Sequence, residues 1–144
     1  MTTAEELSQE QKDKIVSMHN KIRYDVKDGD LLELKWDDEL ASKASGWAQN
    51  CQWPHNPDRQ STLGTVGENI AVTKGGIVEG INYLASEKKQ WNYETECEVK
   101  DGCGHYTQLI WENTEKVGCG LQKCDSISGL DSDFNGYEYL VCNY

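Results

Sequence analysis

The sequence predicts an α+β domain, and three observations predict it. Apolar residues recur at helical spacing through the first two thirds of the chain, strand-like runs cluster near its end, and six cysteines are available as cross-links. At 144 residues the chain has the size of one domain. Apolar residues make up 37% of it, with one Phe, five Trp and seven Tyr, so the core leans on Trp, Tyr and scattered aliphatics. A core that thin profits from covalent help.

The first helix is predicted from Ser8 to Asp28. Ser8 and Gln11 can form a capping box, Ile15, Met18, Ile22 and Val26 recur on one face, and Gly29 follows. Residues 1–7 read as a disordered lead-in. A second helix is expected from Asp37 or Asp38, with Leu40, Ala44, Trp47, Ala48 and Cys51 on its buried side. It should stop before Pro54, because the two prolines of Trp53-Pro54-His55-Asn56-Pro57 mark a loop. A third helix spans about Ile77 to Trp91, behind Gly75-Gly76, with Ile81, Leu84 and Ala85 inward. Val117 to Lys123 and Tyr137 to Tyr144 read as strands, joined by the Gly- and Ser-rich stretch Asp125 to Gly136.

None of the cysteines (Cys51, Cys97, Cys103, Cys119, Cys124, Cys142) falls into the C-x-x-C pairs typical of structural zinc, so disulfides and an oxidising compartment are expected. The sequence leaves their pairing open. A net charge of −11, from 25 acidic and 14 basic residues with no basic cluster, argues against binding nucleic acid or anionic membrane. No apolar run approaches a membrane span, and the hydrophilic opening Met1 to Glu6 has no signal peptide, which suggests a mature region behind an added initiator Met.

His55, Glu68, Glu87 and His105 lie at or near predicted element boundaries, where side chains can turn into a cleft. Composition alone gives them little weight. The run Gly104-His105-Tyr106-Thr107-Gln108-Leu109-Ile110-Trp111-Glu112-Asn113-Thr114, however, resembles the first signature of the CAP superfamily (cysteine-rich secretory proteins, antigen 5 and pathogenesis-related class 1 proteins) at every constrained position. Tyr139 to Tyr144 resembles the opening half of the second signature, Gly67-Glu68-Asn69-Ile70 a short motif carrying an acidic site residue, and His19-Asn20 with Arg23 the first-helix motif. The likeness runs from about Ser8 to Tyr144, nearest to the pathogenesis-related and venom-allergen-like branch. It implies a single domain over 8–144 that ends before the usual tail of the second signature, folded as a three-layer α-β-α sandwich on a central, mainly antiparallel sheet.

The same resemblance brings His55, Glu68, Glu87 and His105 together, with Glu87 on the third helix; the aromatic usual three residues before it is Leu84 here. Two imidazoles and two carboxylates suit a divalent cation such as Zn²⁺ or Mg²⁺, with no cofactor obligatory, and without an ion they can pair with each other. His19 is set outside the site as structural, and Asn20, Arg23 and Asn69 are expected to bond backbone. The implied pairing is Cys51 with Cys124, Cys97 with Cys103 and Cys119 with Cys142, three disulfides in all.

For function the resemblance implies a secreted, extracellular binding or effector module carrying a sterol or fatty acid. The aromatic segment at Trp91 and Tyr93 is the expected lipid contact, and the role is of defence, allergen or toxin type. Two alternatives stand beside it. A hydrolase would use His55, Glu68, Glu87 and His105, but the chain has neither H-E-x-x-H nor G-x-S-x-G, and four ligands would saturate an ion that needs an open position. A signalling precursor or receptor ligand would be cut after Cys142-Asn143-Tyr144, where this chain stops and the usual continuation is missing. Expected partners are a lipid and an extracellular receptor, with no stable membrane insertion and a monomer or weak dimer in solution.

Overall fold

The computed structural model describes residues 7–26, 31–53, 55–57, 60–61, 64–92, 96–97 and 102–144, with backbone alone at 60–61, 64–65, 92 and 96–97. Along the chain run α1 (Gln9–Tyr24), β1 (Lys35–Trp36), α2 (Asp38–Ala48), β2 (Gln60–Ser61), β3 (Gly64–Thr65), β4 (Glu68–Thr73) and α3 (Gly76–Ala85). A 3-10 turn (Ser86–Gln90), β5 (Trp91–Asn92), β6 (Glu96–Cys97), α4 (Gly104–Leu109), β7 (Lys116–Lys123), a second 3-10 turn (Ser132–Phe134) and β8 (Glu138–Asn143) complete it. In the central sheet, ordered β1-β7-β8-β4, β8 is antiparallel to both neighbours and β1 joins β7 in parallel.

Successive strand residues point to opposite faces, and here both faces are covered. Ile70, Tyr139 and Val141 pack with Ala44 and Ala48 of α2, whereas Ala71, Leu140, Cys142, Val117 and Leu121 pack with Ile15 of α1 and Ile77, Ile81 and Leu84 of α3. This is the expected α-β-α layering. On β7 the glycines at 118 and 120 let α2 lie almost on the strand: a Cβ at Gly118 would meet the Ala41 nitrogen and the Asp37 carbonyl, and one at Gly120 would come within 2.5 Å of Ser45 Cα.

The capping box of α1 forms as predicted, Ser8 accepting from Gln11 N while the Gln11 side chain accepts from Ser8 N. Its inner stripe differs from the apolar one expected. Ile15, His19 and Arg23, spaced by four, are the buried residues, and Met18 and Ile22 pack at the flank. Polar residues win the inward positions because each of their side-chain nitrogens has a partner. Arg23 Nε donates to Leu32 O, Nη1 to the carbonyls of Leu109 and Trp111, and Nη2 to Thr114 O, which spreads a buried charge over four dipoles. Leu7, placed by the sequence in the lead-in, is buried in the same core; residues 1–6 lie outside the described residues.

Helix α3 is shorter than the predicted Ile77 to Trp91. It stops at Ala85, tightens into the 3-10 turn that carries Glu87, and gives way to β5 at Trp91. A local competitor for the backbone sits at the transition, where the Ser86 hydroxyl donates to Tyr83 O at 2.6 Å. Disulfides join Cys51 to Cys124 and Cys119 to Cys142, and Cys103 is disulfide-bonded as well; the Cys97 side chain lies outside the described residues. Among the described residues no helix is long and apolar enough to cross a membrane.

Candidate functional site

Two imidazole–carboxylate pairs face one hollow of about 360 Å³, lined by His55, Gly67, Glu68, Asn69, Glu87, Gly104, His105 and Gln108. All four residues singled out in the sequence therefore meet there. The first pair joins the loop after α2 to the sheet. His55 Nδ1 lies 3.0 Å from Glu68 Oε1, which also accepts from Asn56 N at 2.8 Å, and Glu68 Oε2 accepts from Asn143 Nδ2 at 3.0 Å. Glu68 opens β4 directly opposite Asn143 of β8, so strand register fixes this carboxylate, and its side chain is fully buried.

The second pair joins the 3-10 turn to α4. His105 Nδ1 lies 2.7 Å from Glu87 Oε2, while Glu87 Oε1 accepts from His105 N at 2.8 Å and Tyr106 N at 3.1 Å. The residue at the α4 N-cap position, Cys103, makes no side-chain cap bond. Glu87 supplies that cap from another element, satisfying the second and third N–H groups of a helix one and a half turns long. Holding the helix and orienting its histidine are one interaction.

A carboxylate oxygen accepts, so each Nδ1 donates, and in the neutral ring each Nε2 is then the atom that carries the lone pair. Both carboxylates are spent on three N–H donors apiece. Consistent with that, among the described residues no three His, Cys, Asp or Glu side chains stand close enough to hold an ion together. The arrangement is one of oriented imidazoles backed by acids, with the two rings unequally open to solvent: the His55 side chain is 46% exposed and that of His105 is 22%.

Asn20, Arg23 and Asn69 all bond main chain: Asn20 takes both N–H and C=O of Leu34, and Asn69 Nδ2 donates to His105 O. Gln108 is a lining residue that the sequence reading passed over. Its signal was its place three residues after His105 on a predicted site run, which on a helix is the same face. Trp91 is half-buried against the ring of Tyr106, at 6.4 Å between centroids, and Tyr93 lies outside the described residues.

A larger groove of about 860 Å³ opens elsewhere, between α1 and the start of α3. Ile77, Val78 and Leu121 give it an apolar floor, and Gln11, Lys14 and Ser17, with the acidic Glu10, Asp13 and Glu138, a polar rim. Nothing in the sequence marked it.

The model of the family described as "CAP: Cysteine-rich secretory protein family" matches residues 16–144. The chain is 38% identical over 149 residues to Peptidase inhibitor 16 of Mus musculus, covering 99% of this chain and 28% of that protein. It is 33% identical over 144 residues to a cysteine-rich venom protein of Conus textile, covering 96% of this chain and 44% of that one. It thus spans less than half the length of either relative. Among solved structures, venom allergen-like protein 4 of Schistosoma mansoni superposes with a TM-score of 0.74 at 30% identity, covering 96% of this chain and 88% of that one.

Proposed function

The chain belongs to the CAP family of cysteine-rich secretory proteins, and from that premise we propose that it is an extracellular binding module for an apolar lipid, a fatty acid or a sterol. One observation carries the reading: the open groove between α1 and α3, whose size is that of a small-molecule site and whose floor is Ile77, Val78 and Leu121. A lipid tail laid there covers the half-exposed Val78, and the rim offers a head group Lys14 beside the carboxylates of Glu10, Asp13 and Glu138. Trp91 and Tyr93 are the second lipid contact proposed, for a sterol. Disulfides at Cys51, Cys119, Cys124, Cys142 and Cys103 support secretion.

The test is titration with a fluorescent fatty acid and a fluorescent sterol. Val78→Glu, which charges the groove without touching the core, should abolish fatty-acid binding, and Trp91→Ala should weaken the sterol alone. Negligible binding of both ligands by the wild type would remove the reading.

A divalent cation in the hollow is a second reading, favoured by the two free Nε2 atoms. His55 and His105 would be the ligands and Glu68 and Glu87 the acids that orient them, which leaves positions on the ion for water. Zinc should then raise the melting temperature of the wild type, and His55→Ala with His105→Ala should erase the shift. An equal shift in that double variant would place the ion elsewhere. Hydrolysis needs more than this: each carboxylate already accepts three N–H donors that fix its place in the fold, a structural duty that competes with acting as a base, so binding is preferred over catalysis.

A further inference from the structure

The buried polar interior extends past the hollow to α1. His19 is fully buried, with Nδ1 2.8 Å from Ile15 O and Nε2 2.8 Å from the Tyr144 hydroxyl. A carbonyl only accepts, so Nδ1 carries the hydrogen. Burial lowers the pKa of the ring to about 4, with the charge of Arg23 adding to the effect and the Ile15 bond opposing it. Near neutral pH the ring is therefore uncharged and Nε2 can only accept. Tyr144 must donate, and burial holds its hydroxyl protonated by raising its pKa.

The phenol oxygen then takes a hydrogen from Asn69 Nδ2 at 3.2 Å, and the same amide nitrogen gives its other hydrogen to the main-chain carbonyl of His105 at 3.2 Å. Every link has a single permitted direction: Ile15 carbonyl, His19, Tyr144, Asn69, His105 carbonyl. Asn69 directly follows Glu68 on β4, and His105 stands in the first turn of α4, so the series ties α1 and the chain end to the wall of the hollow.

We propose that Tyr144, acting through Asn69, is a positioning residue for His105: its hydroxyl locks the amide that holds the His105 carbonyl, and this main-chain anchor together with the Glu87 bond to the ring sets where His105 Nε2 points. The proposal rests on the reading of that nitrogen as a ligand atom. Without the hydroxyl, Asn69 keeps one acceptor instead of two and its amide is free to turn away. Arg23 holds the far end of the same helix through Leu109 O and Glu87 caps its start through His105 N and Tyr106 N, leaving the His105 carbonyl as the group that the hydroxyl reaches through Asn69.

The experiment compares wild type, Tyr144→Phe, Asn69→Ser and the double variant. Two readouts are taken on each: the carbonyl ¹³C resonance of His105, and zinc affinity by calorimetry with the metal alone. Tyr144→Phe should move the His105 carbonyl and lower zinc affinity about tenfold, the scale of losing a partner behind a metal ligand. Because the groups act in series, the double variant should bind zinc no worse than Asn69→Ser. A carbonyl that shifts in a protein binding no zinc supports the positioning role and removes the ion reading by itself. An unmoved carbonyl in folded Tyr144→Phe overturns the proposal, as do additive losses in the double variant. Should Asn69→Ser fail to fold, the Tyr144→Phe carbonyl decides alone.

Discussion

The His55–Glu68 and His105–Glu87 pairs have the same chemistry and different footings. Glu68 is fixed by strand register, buried, and its partner ring is nearly half exposed; Glu87 sits on a 3-10 turn, and both members of its pair are partly exposed. One pair is a buried acid holding a half-exposed ring, and the other is a ring and an acid that hold each other across two short elements. The lesson is that a like set of side chains can be built from unlike supports, so each pair has its own weak point.

Behind the first pair stands the Cys51–Cys124 bond, four residues before His55 and closing 73 residues of chain. The largest expected effect follows from cutting it. Cys51→Ser with Cys124→Ser should lower stability by about 4 kcal/mol in the chain-entropy model. Cys119→Ser with Cys142→Ser, closing only 23, should lose about 3 kcal/mol. Urea denaturation measures both, and a loss under about 1 kcal/mol for the first bond would show that it does not anchor the loop.

Behind the second pair stands His19. Its folded pKa of about 4 lies below the ordinary 6.5, so between those values the unfolded chain binds the extra proton. The stability it contributes is complete above pH 6.5 and is lost as pH falls toward 4, by about 3 kcal/mol in total. Carboxylates also titrate in that range, so the quantity to measure is the difference in stability between wild type and His19→Gln. It should shrink by that amount from pH 7 to pH 4, whereas a constant difference would mean that His19 does not titrate through the fold.

How legible this was depended on what fixed each feature. The Ser8 capping box, the start of α2 and the strands at 117–123 and 137–144 follow from local chemistry and periodicity and formed within a residue or two of expectation, whereas α2 ends at Ala48, before the Cys51 expected on its buried side. β1 has only two residues, and β4 runs buried over most of its length without the alternation that marks a strand, so both needed their partners to be seen. The site residues were named through the signature run, yet the roles of the two glutamates were not. A glutamate that caps a helix from another element leaves no trace in the spacing of either. The inward stripe of α1 was missed because periodicity counts apolar residues, and here His19 and Arg23 are buried by the acceptors that other segments bring to them.

The smallest effect sharpens the comparison most. Glu68→Ala removes a buried acceptor and strands the Asn56 N–H and the Asn143 amide, which should cost about 3 kcal/mol, since each unpaired buried donor costs about 1–3 kcal/mol. Glu87→Ala exposes the first N–H groups of α4 at a site that water can enter, so the loss should resemble that of an N-cap, about 1 kcal/mol. The two variants delete the same side chain from the same hollow and differ only in what surrounds it. Thermal and urea unfolding of both, at pH 7 where the His19 term is constant, decides the matter. Equal losses would mean that the sheet-borne and turn-borne acids are equally supported; a loss three times greater at Glu68 ties the rigidity of the hollow to the β4–β8 register, with the His105 side as its adjustable wall.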